Sequence, residues 1–323
     1  MTIQKIGHRV AAGRRHVRLR AYFPILFFLV LLVGFSLLSD KFLTFDNGTI
    51  ILGQAATLLV VSLGLTFVII GGSIDLSVGS IVALSALAAA ATSGPLGVFA
   101  IVPAALVGIV CGFLNGIVFA KGKVPSFVAT LGAMVTYRGV VLFFTRGSPV
   151  QISGDVFLRV YAGRTFGIPN QALVALLMVA VVYVIFNSTV FGREVRAIGG
   201  GERVARLTGI RVERTKIQMF VLLGLLAGLA GLLQAARVQA ATAELGTGLE
   251  LDAIAAVVVG GTPLTGGVGS VQGTILGTFI IVVLADGMNM IGVDPYLQSI
   301  IKGVVLIAAV FVTIDRAKIA IMK

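Results

Sequence analysis

The sequence predicts an all-α integral membrane protein of about ten transmembrane helices, including short or broken helical hairpins, with both termini cytoplasmic. Composition is the first reason. Mean hydropathy is +1.07, and only 12% of the 323 residues are charged while 58% are hydrophobic. A water-soluble domain carries roughly a quarter charged residues to cover its surface. Length is the second reason: apolar stretches of about 20 residues, enough for a helix to cross a bilayer, recur from end to end. Charge is the third. With the N-terminus placed inside and sides alternated, the inner segments hold 18 Lys/Arg and four acids, and the outer segments hold four Lys/Arg and eight acids. This is the positive-inside asymmetry. It accounts for the net charge of +12 without a nucleic-acid partner.

Residues 1–21 form a basic cytoplasmic tail. The run 22–39 is too long for the core of a secretory leader and no small-residue cleavage site follows it, so it reads as a retained first span. Further spans are expected at 50–70, 77–92, 98–120, 126–145, 170–190, 216–238, 252–263, 268–285 and 297–314. They belong to one transmembrane domain over 22–315, with a short cytoplasmic tail at 316–323. Trp is absent, so an interfacial aromatic belt falls to Tyr and Phe. The glycosylation triplet Asn47-Gly48-Thr49 abuts a span and reads as chance.

Acids flank residues 252–285 on both sides (Glu244, Glu250 and Asp252, then Asp286 and Asp294), placing both ends of that stretch outside. About 34 residues are too few for two full crossings, so a hairpin of short or broken helices is expected. Its turn, "GGTPLTGGVGS" (Gly260–Ser270), reaches membrane depth, where irregular backbone must be packed in protein or line a wet cavity. A second Gly-rich turn lies at Gly71–Ser80, "GGSIDLSVGS". The segments "VIIGGSIDLSVGSI" and "VVVGGTPLTGGVGSV" resemble each other as a weak internal repeat. Gly71, Gly72, Gly260, Gly261, Gly266 and Gly267 are therefore candidate gating-hairpin residues.

Asp75 is the one acid between residues 50 and 150, and an acid between apolar helices is costly in lipid and a functional candidate by default. It reads as a carboxyl capping the helix "DLSVGSIVAL" beside a pathway, as a direct solute contact, or as an interfacial loop residue. Ser77, Asn115 and Asn289 join it as candidate pathway residues. Arg138, Gln234, Arg237 and Lys302 are further intramembrane polar groups, for which loop pairing or snorkelling is the simpler reading. Catalytic chemistry finds no footing. Both His (His8, His16) lie in the basic tail, Cys111 is alone, and no G-x-x-x-x-G-K-[ST] loop exists to hold ATP. No catalytic residue, metal site or resident cofactor is expected.

The inner loop 191–216, "FGREVRAIGGGERVARLTGIRVERTK", is far longer than an antiparallel helix pair needs. Three glycines precede "ERVARLTGI", a short amphipathic helix with Val204 and Leu207 on one face and Gly209 ending it. Such a knob reads as a docking element.

Three of these segments, "GGSIDLSVGS", "GREVRAIGGGERVARLTGI" and "ELDAIAAVVVGGTPLTGGVGS", resemble the signature regions of ribose-type permeases, the transmembrane subunits of bacterial ABC sugar importers. "FAKGKVPSFVATLGAMVTYRGV" and "TRGSPV" fit the same pattern, and the resemblance runs from about residue 22 to 315. It implies a second permease subunit, a cytoplasmic ABC ATPase (often a fused double domain) that holds the ATP and Mg²⁺, and a periplasmic or lipid-anchored sugar-binding protein. It also makes the knob the ATPase-coupling element, with Gly199, Gly200, Glu202, Ala205, Arg206, Leu207 and Gly209 at the matching positions. The chain departs from the family pattern at Gly201, Val204 and Thr208 and keeps it at Ala205 and Gly209. Two other readings stand beside a sugar permease. One is an ABC permease for another small polar solute such as branched-chain amino acids; the other is an ion-gradient-driven transporter, which needs a titratable or Na⁺-binding cluster.

Overall fold

The computed structural model describes residues 23–313. Both tails, with their His8 and His16 and the side on which either terminus lies, fall outside the described residues. Each apolar stretch read as a span contains a helix among the described residues: α1 (Phe23–Leu38), α2 (Phe45–Ile70), α3 (Val78–Leu96), α4 (Ile101–Ala120) and α5 (Ser126–Thr145). After a short α6 (Asp155–Tyr161) come α7 (Asn170–Ser188), α8 (Val190–Gly200), α9 (Glu202–Leu207), α10 (Val212–Val238), α11 (Leu249–Val259), α12 (Val271–Met290) and α13 (Pro295–Thr313). Among the described residues, six runs are long and apolar enough to cross a bilayer: α2, the run Val78–Ala120 that joins α3 to α4, α5, α7, α10 and α12.

The chain is an all-α membrane protein built around two buried helices. In α2, 94% of the most apolar window is buried, against 17% in α5 and 22% in α7. Phe127, Val135, Phe143 and Phe144 of α5 and Leu176 and Val184 of α7 stay exposed, as lipid-facing side chains must. The α2 and α10 helices lie inside a jacket of the others.

Between helices in lipid there is no hydrophobic driving force, so tight association relies on close backbone approach at small residues. The α4–α10 contact is built this way. A Cβ on Gly108 would overlap the Gly224 carbonyl, one on Gly224 would overlap the Gly108 carbonyl, and one on Gly228 would come within 2.6 Å of the Ala104 carbonyl. Gly224→Leu is expected to cost about 1–3 kcal/mol by overpacking, read as a lower Tm in detergent. Gly132→Ala on α5, where the new carbon meets nothing within 4 Å, is expected to leave Tm unchanged.

The internal repeat has a structural counterpart. In the first turn Gly71 N–H donates to the Phe67 carbonyl, Gly72 N–H to Ile69 and Ser73 N–H to Val68. In the second, Gly260 donates to Ala256, Gly261 to Val258 and Thr262 to Val257. The two helices thus end on the same hydrogen-bond pattern, and Gly72 and Gly261 hold φ of +77° and +95°, the left-handed region that a Cβ disfavours. The Ser73 and Thr262 hydroxyls, at matching positions, are both buried without a hydrogen-bond partner among the described residues.

The second hairpin differs from the sequence expectation in two respects. Its first arm is short, as expected: α11 has 11 residues, about half a bilayer at 1.5 Å per residue. Its second arm, α12, runs 20 residues to Met290, well past position 285. Asp286, read from the sequence as an outer flanking acid, is instead buried inside α12, where Asn47 Nδ2 donates to it at 2.9 Å. Asn47 is itself buried and also donates to the Phe42 carbonyl, so the glycosylation triplet is inaccessible.

Opposite the knob, short strands tie the loops together. β1 (Val150–Gln151) pairs antiparallel with β4 (Ala240–Ala241), and β2 (Arg164–Thr165) with β3 (Ile168–Pro169).

Candidate functional site

Three glycine segments that are far apart in sequence meet at one point. Gly267 N–H donates to the Ile70 carbonyl at 2.8 Å, linking the second Gly-rich turn to the first. Gly199, near the end of α8, closes the third side: a Cβ there would overlap the Ile70 carbonyl and lie 2.5 Å from Gly267 N. A Cβ on Gly266 would lie 2.8 Å from both Gly72 N and the Ile70 carbonyl. Around this junction Gly71 abuts the Met219 thioether, and Gly260 packs on the Gly273 carbonyl across the α11–α12 crossing. Gly200 points to open space.

The knob hangs directly from this junction, since α9 starts three residues after Gly199. Residues 191–216 are not one loop. Thr189 caps a new helix by accepting Gly192 N–H, and α8 follows with Val195 and Ile198 buried. Ala205 of α9 packs under the knob with Ile198, Val212 and Ile210. Val204 and Leu207 point away, 65% and 80% exposed. The C-terminus closes through Gly209 N–H to the Arg206 carbonyl and Ile210 N–H to Ala205. Glu202 and Arg206 are about half exposed, yet both are ion-paired within the knob's own frame: Lys216 Nζ reaches Glu202 at 2.7 Å, and Arg206 reaches Glu213 at 2.7 Å and Glu202 at 3.3 Å. The hydrogen bond from Lys216, then the Arg206 contact, hold the Glu202 carboxyl below its usual range. These pairs therefore contribute above the ordinary carboxylate pKa and are lost as pH falls through the lowered folded value.

Asp75, Ser77 and Asn115 are brought together. Ser77 donates its N–H and its hydroxyl to Asp75 Oδ1 at 2.7 and 2.6 Å. Asn115 Nδ2 donates to Ser77 Oγ at 2.8 Å and to Asp75 Oδ2 at 3.3 Å. The Tyr137 hydroxyl lies 2.9 Å from Asn115 Oδ1 and 3.1 Å from the Cys111 carbonyl. From α5, Ser126 and Thr130 hydroxyl oxygens accept the Ile74 and Leu76 N–H groups. All of these polar side chains except that of Ser126 are buried. Asp75 does not bind the N–H groups of α3 itself; Ser77 is the N-cap residue, and Asp75 fixes the turn ahead of it. Asn289 stands apart from this cluster, accepting from Gln298 at 2.8 Å.

Tyr137 is the member that sequence reading missed, and its signal was a lone hydroxyl-bearing ring in an apolar helix. The intramembrane cations also have defined places. Arg138 donates to the Ala243 and Leu245 carbonyls, not to an acid, and Lys302 pairs with Asp252 at 2.9 Å. Arg237 lines a polar cavity together with Gln234 and Lys302.

A jacketed helical core, broken hairpins meeting in backbone contact and a protruding apolar-tipped knob make a multi-pass helical membrane protein, and the comparisons with known proteins make it a permease, a transport component and not an enzyme. Residues 48–310 match the family model described as branched-chain amino acid transport system / permease component. The chain is 41% identical over 290 residues to the ribose import permease protein of Escherichia coli K12, covering 88% of this chain and 90% of that one. It is 40% identical over 301 residues to the ribose import permease protein of Bacillus subtilis 168, covering 92% and 93%. Against the xylose transport system permease protein of Escherichia coli K12 the identity is 32% over 365 residues, covering 93% of each. No solved structure matches. The chain belongs to this family of ABC-importer permeases, within its ribose type, and is a multi-pass protein of the bacterial cell (inner) membrane.

Proposed function

We propose that this chain is the membrane subunit of an ABC importer that moves a sugar or sugar-like polyol into the cell by alternating access. ATP and Mg²⁺ are held by a cytoplasmic ATPase subunit, in fused double-domain form, and the chain itself binds neither. A periplasmic or lipid-anchored sugar-binding protein delivers the solute, and two permease subunits rock against each other. About ten helices cross or enter the bilayer, with both termini and the knob on the cytoplasmic side, in keeping with the charge asymmetry of the loops.

One observation carries the mechanism: the knob's root and both Gly-rich turns share a single backbone junction at Gly199, Ile70 and Gly267. When ATP draws the ATPase halves together, displacement of the seated knob reaches both hairpins at once. The sugar assignment draws support from relatives named for ribose and xylose and from an interior whose polar groups are mainly hydroxyls and amides. Branched-chain amino acids, the solute in the family's description, are the second reading. A zwitterion favours charged contacts that the Asp75 cluster, with no cation among the described residues, does not offer.

The docking test uses Val204 and Leu207, the exposed apolar side chains of the knob, because Glu202 and Arg206 are already ion-paired within it. Val204→Asp with Leu207→Asp is expected to leave expression and Tm unchanged and to abolish co-purification of the ATPase subunit. Retained association removes the coupling role. Uptake of D-ribose or D-xylose into proteoliposomes with ATP, the ATPase and the binding protein tests the transport reading. Uptake of leucine but neither sugar overturns the sugar assignment.

A further inference from the structure

Two adjoining cavities of about 230 and 340 Å³ open beside α2 and α10 and share Gln54 and Arg237 in their walls. Resting on the sugar-import reading above, we infer that this composite cavity is a binding site for a neutral polyhydroxylated solute inside the single permease chain, separate from the Asp75 cluster. The size is in the range of small-molecule sites, roughly 300–1,000 Å³. In the proposed orientation it lies in the outer half of the protein, where Arg237 is in the last turn of α10, Asp252 in the first turn of α11 and Gln54 in the third turn of α2.

The lining has the chemistry of a sugar site. Gln54, Gln234 and Gln171 are amides, each with paired donors and acceptors, and Thr57 donates to Gln234 Oε1 at 3.1 Å, holding that amide in place. Vicinal hydroxyls are both donors and acceptors, so side chains of mixed character match them where a single sign of charge does not. Arg237 has no hydrogen-bond partner among the described residues and presents its fork of donors to the cavity. Lys302 and Asp252 neutralise each other on the wall. Leu58, Ile281 and Val282 add aliphatic lining to the 230 Å³ cavity, against which the C–H face of a sugar ring can lose water. The composite wall also carries Arg164, which with Arg237 leaves it net positive, so sulfate is the competing ligand in the test below.

The chain contains no Trp, so Leu249→Trp on the cavity wall gives the purified full-length protein a single reporter. D-ribose or D-xylose is expected to change its emission saturably, and adding Gln234→Leu and Arg237→Gln is expected to weaken that response at least tenfold. No response to either sugar, or a response to sodium sulfate in their place, overturns the proposal. In parallel, Gln54→Leu with Gln234→Leu is tested in the reconstituted transporter under saturating loaded binding protein. Uptake is expected to fall at least tenfold while the ATPase subunit still co-purifies. Wild-type uptake in this variant sinks the site and leaves the sugar importer standing; no sugar uptake by the wild-type complex removes both.

Discussion

Gly199→Ala is expected to abolish ATP-driven uptake and to lower Tm by several degrees. The added carbon falls on the Ile70 carbonyl and within 2.5 Å of Gly267 N, so the hydrogen bond between those two groups, 2.8 Å long, has to open. Backbone cannot swing aside as a side chain can. Overpacking and the loss of one buried hydrogen bond together cost about 2–4 kcal/mol. Loss of uptake is predicted to exceed what the fall in stability explains, because the same contact joins the knob to both hairpins. Gly132→Ala on α5, where the new carbon meets nothing within 4 Å, is the control and should transport at the wild-type rate. Wild-type uptake by Gly199→Ala would remove the junction from the mechanism.

Asp75→Ala carries the second large effect. It strands the Ser77 N–H, the Ser77 hydroxyl and one Asn115 amide hydrogen in a buried site. Leaving buried donors unpaired costs about 1–3 kcal/mol each in the worst case, and rearrangement among the survivors brings the expectation to about 2–4 kcal/mol. Thermal unfolding of the solubilised protein measures it. Because Asn115 bridges Asp75, Ser77 and Tyr137, Asp75→Ala and Asn115→Ala should be non-additive by about 0.5–3 kcal/mol; strict additivity would show that the four side chains do not act as a unit. Asn289→Ala, which removes only the Gln298 contact, should cost no more than about 1 kcal/mol by the same reasoning.

The helices were legible because a bilayer imposes one rule on every span: enough apolar residues, with charges kept to the ends. The break between Ile70 and Val78 was legible for a related reason, since only Gly, Ser and an acid interrupt an otherwise apolar run there. What stayed hidden depends on partners distant in sequence. Asp286 looked like a flanking charge because nothing near it in sequence declares Asn47, 239 positions away. The helix α8 was hidden by its arginines and glycines, which mimic a loop until Thr189 is seen as its cap. Arg237 and Gln234 read as isolated polar residues, and only the packing of α2, α11, α12 and α13 around them makes a cavity. The Asp75 cluster was half legible: Asp75, Ser77 and Asn115 are unusual in apolar surroundings, whereas the Tyr137 ring passes for packing.

Where polypeptide touches polypeptide through bare main chain, as at Gly199, Ile70 and Gly267, no rotamer can flex to take up play. In the proposed coupling, a push at one limb is carried to the others by main chain alone, much as in a gear train without backlash. The price is intolerance: such a linkage has no soft part in which even one methyl group could be hidden.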